Sequence, residues 1–413
     1  MVLPPLPTPP ADALLLLHEW EQRHHAAETT ADSANSDRSS PGQEDDLLWE
    51  DDDGDGIPGS LNQHTDSPAV PNLMLLSRHP ALVEGSVRSH TGVLVARRNY
   101  GRNGEVDVFL ERMGFTTRIG MRLLFHGLDR GHFVRSRHLL KAWSDREGRR
   151  YDDPTNATRK IIAFIRAYRI DCSELAEPDL ARYPTLNTFF YRRLRKDARP
   201  VTEPKNPFVV SSAADCRLTV FHSVHEAHKL WIKGRHFNLS ELLQDAKLAK
   251  ELKGGSVAVF RLAPEDYHRY HSPVAGKMGA TWHIPGSYYT VNSMIVRDKR
   301  FDVFTANKRD VSILESRHPA TGQPVRVAFV QVGALLVASI RQTAQPGQTM
   351  KRGDEVGYFA YGGSTIIAVF PPGCVEWNED LLRNSEGRNS HGAQLETLVK
   401  VGEEIGRWVA PLV

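Results

Sequence analysis

Four residues of chemically useful type stand in three separate segments of this chain of 413 residues. They are Asp215 in SSAADCRL, His268 and His271 in DYHRYHSPVAG, and Ser364 directly after Gly363 in YGGSTIIAVF. An Asp, a His and a Ser are the parts of an orienting acid, a general base and a nucleophile. In that arrangement His271 takes the proton of Ser364 Oγ while Asp215 holds the imidazole in the right tautomer. Oγ then adds to the Gly363 carbonyl, which no side chain hinders, and the amide becomes an ester. Removal of the Ser364 Cα proton eliminates the ester and leaves dehydroalanine, which hydrolyses to a pyruvoyl group and ammonia. Such a chain exists as residues 1–363 and 364–413, which stay associated. Its cofactor is made from residue 364, and it needs no metal and no pyridoxal phosphate.

Each residue also has a plainer reading. Gly362-Gly363-Ser364-Thr365 joins two apolar runs, EVGYFAY and STIIAVF, and is ordinary hairpin chemistry. His268 and His271 form an i, i+3 pair suited to a surface or to a metal, and Asp215 or His222 could supply a third ligand.

The elements that must position these residues read as an α+β architecture: a strand-rich catalytic core with N-terminal helices, preceded by a disordered acidic tail. Residues 1–70, rich in Pro, Ser, Asp and Glu, are expected to be disordered. Asp51, Asp53, Asp55 and Gly56 match the start of an EF-hand calcium loop, but Pro58 and Asn62 break it, and the patch reads as a solvated acidic loop. Residues 71–200 read as a helical, basic amphipathic region. From Arg118 to Arg150, nine basic residues stand against three acids among interleaved apolar ones. That pattern suits either an anionic membrane surface or a helix packed on the core. A helix is expected to open at Asp153-Pro154-Thr155 and run through KIIAFIRAYRI. Residues 201–413 read as the strand-rich core, with one helix, LSELLQDAKLAKEL at 239–252, capped by Asn238 or Ser240.

Bulk composition excludes several classes. A net charge of +2 gives no case for nucleic acid, and 40% hydrophobic residues fit a globular protein. Cys172, Cys216 and Cys374 are far apart and form no CxxC, which argues for a reducing, intracellular compartment and against a disulfide framework. No apolar run reaches the roughly 18 residues that span a bilayer. The N-terminus has no basic segment leading a long apolar one, so no signal peptide is expected.

Taken together, the motifs resemble those of the phosphatidylserine decarboxylase family. The resemblance rests on SSAAD, DYHRYHSPVAG, YTVN, NKR, VQVGALLVASI, KRGDEVGYFAYGGSTIIAVF and ETLVKVGEEIGRW, with WIKGRHFNLSELL and YPTLNTFFYRRLRKDARPV upstream. It covers roughly residues 115–413, and the GGST form is similar to the eukaryotic-type branch. The resemblance implies that Asp215, His271 and Ser364 form the self-processing triad and that His268 serves the decarboxylation step. It implies that the pyruvoyl ketone condenses with the serine amine of phosphatidylserine and takes up the electrons left by CO2, giving phosphatidylethanolamine. A homodimer, peripheral on an internal membrane or cytosolic, is implied as well. Ser293, Ala338 and Cys216 depart from the family's usual Pro, Gly and Gly. Two other readings are a pyruvoyl decarboxylase of a small aromatic amino acid and a non-catalytic lipid-binding relative.

Overall fold

The computed structural model describes residues 93–98, 106–111, 146, 148–230, 232, 237–289, 291, 296, 302–334, 340–360, 362 and 364–410. The acidic tail, the EF-hand-like patch, most of the basic segment 118–150, Ser293, Ala338 and Gly363 lie outside the described residues.

The architecture is α+β and dominated by sheet. Among the described residues the strands are β1 (Val93–Arg97), β2 (Val108–Glu111), β3 (Val209–Ser211), β4 (Cys216–Phe221), β5 (Val257–Leu262), β6 (Arg269–His271), β7 (Gly276–Ile284) and β8 (Arg309–Arg317). They continue as β9 (Pro324–Gly333), β10 (Ile340–Gln342), β11 (Thr349–Met350), β12 (Glu355–Phe359), β13 (Ser364–Val369), β14 (Val375–Trp377), β15 (Glu396–Val399) and β16 (Glu404–Trp408). Ten of them form one sheet in the order β11-β7-β8-β9-β13-β5-β4-β15-β1-β2. Its pairs are antiparallel except β1 with β15. Two small sheets, β10-β12-β6 and β14-β16-β3, complete the core.

Strand β13 lies inside the large sheet, paired to β5 and β9. Both of its faces are covered, which is why IIAVF, after Ser364 and Thr365, is a continuous apolar run with no polar alternation. Ile366 and Ala368 pack with Leu218, Phe260 and Phe329 on one face. Ile367 and Val369 pack with Val259, Val330 and the helices on the other.

The helices are short. Helix α1 (Ala157–Tyr168) buries Ala157, Ile161 and Phe164, a one-faced stripe at helical spacing. Helix α2 (Leu186–Phe190) opens on a reciprocal Thr185–Thr188 capping box. The expected helix at 239–252 is broken in two. Asn238 caps the first piece (Leu239–Leu243), Gln244 takes a left-handed conformation, and Asp245 caps the second (Ala246–Glu251). The local Asx cap outcompetes the continuous helix.

The plainer reading of Gly-Gly-Ser as a hairpin turn is not met. β12 belongs to a small sheet and β13 to the large one, so the segment is a crossing between sheets. Gly362, at φ +140°, supplies a backbone conformation that L side chains rarely adopt.

Candidate active site

Ser364 is the first residue of β13, opposite Leu262 on one side and Gly333 on the other. It is fully buried, and its Oγ has no hydrogen-bond partner among the described residues. A buried polar atom without a partner is costly and rare, and it marks the position for attention.

The histidine segment lies against β12, the strand that precedes Ser364 in the chain. β6 pairs with β12, and the Phe359 N–H donates to the His268 carbonyl at 2.9 Å. The His271 N–H donates to the carbonyl of Ala213 in SSAAD at 2.8 Å. A third piece, the turn Lys351-Arg352-Gly353-Asp354, closes on the same segment: Gly353 N–H donates to Ser272 and Ser272 N–H to Asp354. Three motifs that are distant in sequence therefore share one set of main-chain hydrogen bonds.

His268 is fully buried, with its ring against Phe190 at a centroid separation of 3.8 Å. Its Nδ1 lies 2.9 Å from the Asp266 carbonyl, which only accepts, so Nδ1 carries the proton and Nε2 the lone pair. Nε2 has no partner. Burial pushes the pKa of this ring down to about 3, and the charges of Arg192 and Arg217 work in the same direction. The structure holds His268 neutral, with a basic Nε2.

His271 is differently held. Its Nδ1 donates to the Gly353 carbonyl at 2.8 Å, which leaves Nε2 as the basic nitrogen, and the Tyr267 hydroxyl lies 3.2 Å from it. Burial lowers its pKa, while the Gly353 hydrogen bond and the charges of Glu355 and Asp215 oppose that shift. The orienting contact expected from Asp215 is thus made by a backbone carbonyl. The Asp215 carboxylate is engaged elsewhere: Arg199 Nε reaches both oxygens at 2.8 and 2.9 Å, and the Val401 N–H donates at 2.9 Å. Asp215 acts on His271 through its charge.

Arg199, Tyr267 and Gly353 were not singled out from sequence. Arg199 stands in the DARPV motif and Tyr267 directly precedes His268, so both had a signal in the family-like segments. Gly353 acts through its carbonyl, which residue type does not reveal. Among the described residues no three His, Cys, Asp or Glu side chains converge as metal ligands, and no helix is long and apolar enough to cross a membrane.

A phosphatidylserine decarboxylase family model matches residues 186–407, more than half of the chain and all four candidate residues. The chain belongs to the phosphatidylserine decarboxylase family. It is 38% identical over 247 residues to a phosphatidylserine decarboxylase proenzyme of Chlamydia trachomatis, covering 77% of that protein. It is 38% identical over 320 residues to phosphatidylserine decarboxylase proenzyme 3 of Schizosaccharomyces pombe, and 38% identical over 333 residues to proenzyme 2 of Oryza sativa. Those matches span 77% and 79% of this chain but only 31% and 50% of the fungal and plant proteins. The family-model match leaves out β1 and β2, yet β2 supplies Glu111, which pairs with the buried Arg217 and Arg261.

Proposed function

We propose that this chain is a proenzyme that cuts itself between Gly363 and Ser364 and then converts phosphatidylserine to phosphatidylethanolamine and CO2. The observation that carries the reading is the buried, unpartnered Oγ of Ser364 at the start of a central strand, in a chain of this family. A hydroxyl with no hydrogen bond is free to attack. Its loss on conversion to a pyruvoyl group leaves no buried partner unsatisfied, so the position fits that group.

His271 is the processing base. Burial keeps it neutral at pH 7, and Gly353 fixes its proton on Nδ1, so Nε2 takes the Ser364 proton. The Gly363 carboxylate leaves as the new C-terminus of residues 1–363. The cut pieces stay together because residues 364–413 supply β13, β14, β15 and β16, interleaved with strands of the larger piece.

The pyruvoyl group at position 364 would act as the electron sink for decarboxylation. His268 Nε2, neutral and without a partner, accepts a proton from the incoming amine and returns it to the α carbon after CO2 has left. Phe190 and the buried surroundings keep water from competing for that proton. A lipid substrate brings the protein to a membrane surface.

The test is CO2 release from carboxyl-labelled phosphatidylserine in mixed micelles, set beside free amino acids. Release from the lipid is expected. Release from an aromatic amino acid with none from the lipid would overturn the substrate assignment, and an inactive, uncut chain would overturn the reading entirely.

A further inference from the structure

Most buried arginines around the candidate site have carboxylate partners. Arg199 pairs with Asp215 and Glu174, Arg217 with Glu111, Glu265 and Asp266, Arg261 with Glu111 and Glu396, and Arg269 with Glu355. Arg192 is the exception. It is 5% exposed, and among the described residues no carboxylate lies within ion-pair distance of it. Its Nη1 and Nη2 donate to the carbonyls of Phe190 (3.4 Å) and Glu265 (2.9 Å), and its guanidinium sits 5.4 Å from the Phe189 ring centroid. Nε makes no hydrogen bond to a described residue.

Arg309 is also buried without a carboxylate, but each of its three nitrogens is engaged. Nε, Nη1 and Nη2 hold the carbonyls of Leu242, Thr305, Asn307 and Glu241, which closes the ends of two short helices. Arg309 is explained as structure, whereas Arg192 keeps a buried positive charge with unused donors. Such a charge is costly unless an anion completes it. Its place says which anion. Phe190, two residues before it, packs against His268, and the charge of Arg192 helps keep that histidine neutral.

We propose that Arg192 binds the phosphodiester of the substrate headgroup, an inference that rests on the decarboxylase reading above. The substrate offers two anions, and chemistry separates them. The carboxylate must leave as CO2, so a guanidinium clamped on it would stabilise the ground state and oppose reaction. The phosphodiester persists through the reaction, and a planar guanidinium fork matches its oxygens. Binding of this kind contributes equally before and during the reaction and acts on KM more than on kcat.

The test compares self-cleaved wild type, Arg192→Gln and Arg192→Lys on phosphatidylserine in mixed micelles, on glycerophosphoserine and on free serine. In Arg192→Gln, KM for the two phosphodiesters should rise about tenfold to a hundredfold. Its kcat should stay within a few fold, Arg192→Lys should recover part of the loss, and any loss on free serine should be much smaller than on the two phosphodiesters. A parallel arm omits turnover: uncut Ser364→Ala protein is titrated calorimetrically with glycerophosphoethanolamine. That binding should weaken by the same factor when Arg192→Gln is added. Wild type active on phosphatidylserine with an unchanged KM in Arg192→Gln overturns the proposal alone. Equal losses on all three substrates make Arg192 structural and also overturn it. Wild type inactive on the lipid overturns the decarboxylase reading and the proposal with it.

Discussion

His268 and His271 lie three residues apart on one short segment and live in opposite environments. His268 is sealed against Phe190, with one nitrogen on a backbone carbonyl and the other open. His271 is part-buried and has both nitrogens engaged, by the Gly353 carbonyl and the Tyr267 hydroxyl. The same side chain is thereby given two characters. Both rings carry the proton on Nδ1; one presents an open Nε2 among the described residues, and the other has its Nε2 facing the Tyr267 hydroxyl. The contrast teaches that in this segment role follows from what holds the ring.

The sharpest way to break the comparison is to remove each ring in turn. His271→Ala should stop self-cleavage on a denaturing gel. His268→Ala should still cut itself but lose about 100- to 10,000-fold in decarboxylation rate, the usual weight of a general acid–base group. An uncut His268→Ala protein would erase the distinction between the two.

Next in size is Arg199→Ala. It strands the buried Asp215 carboxylate, with an expected loss of about 3–5 kcal/mol of stability, read as a fall in denaturant midpoint. Arg199→Lys should recover only part, because the bidentate contact is lost.

Gly353→Ala probes the orienter of His271. Gly353 sits at φ +87°, and a Cβ there would lie 2.5 Å from Val201 Cγ2. The strain should cost about 1–3 kcal/mol and move the carbonyl from Nδ1, slowing self-cleavage while sparing turnover by protein already cut.

The remaining expected effects concern protons. The Tyr267 hydroxyl favours neutral His271, so Tyr267→Phe should move the pH midpoint of self-cleavage upward. His268 titrates near 3 when folded and near 6.5 when unfolded. As pH falls below about 6.5 the unfolded chain gains a proton that the folded chain refuses, so stability should decline towards pH 3. His268→Gln should flatten that slope in acid denaturation.

Much of this was legible in the sequence. Asp215, His268, His271 and Ser364 announce themselves by residue type and motif, and the apolar run after Ser364 reads as a strand. The sheet crossing at Gly362 was not legible. A glycine turn between two apolar runs looks the same whether the runs pair with each other or with distant strands such as β5 and β9. The break at Gln244 was hidden for a related reason, since Asp245 reads as one more polar position in a helix until its side chain caps the next turn. The holder of His271 is a main-chain carbonyl, and main-chain atoms leave no mark on residue type. The neutrality of His268 comes from burial among segments brought together only by the fold.

The most direct test of self-conversion at Ser364 is the intact mass of the purified, denatured protein. Two chains should be found, residues 1–363 and residues 364–413, with the second lighter by one ammonia than a serine-headed peptide and resistant to Edman degradation until its terminal ketone is reductively aminated. A single chain of full length, or a smaller chain beginning with an intact Ser364, would contradict it.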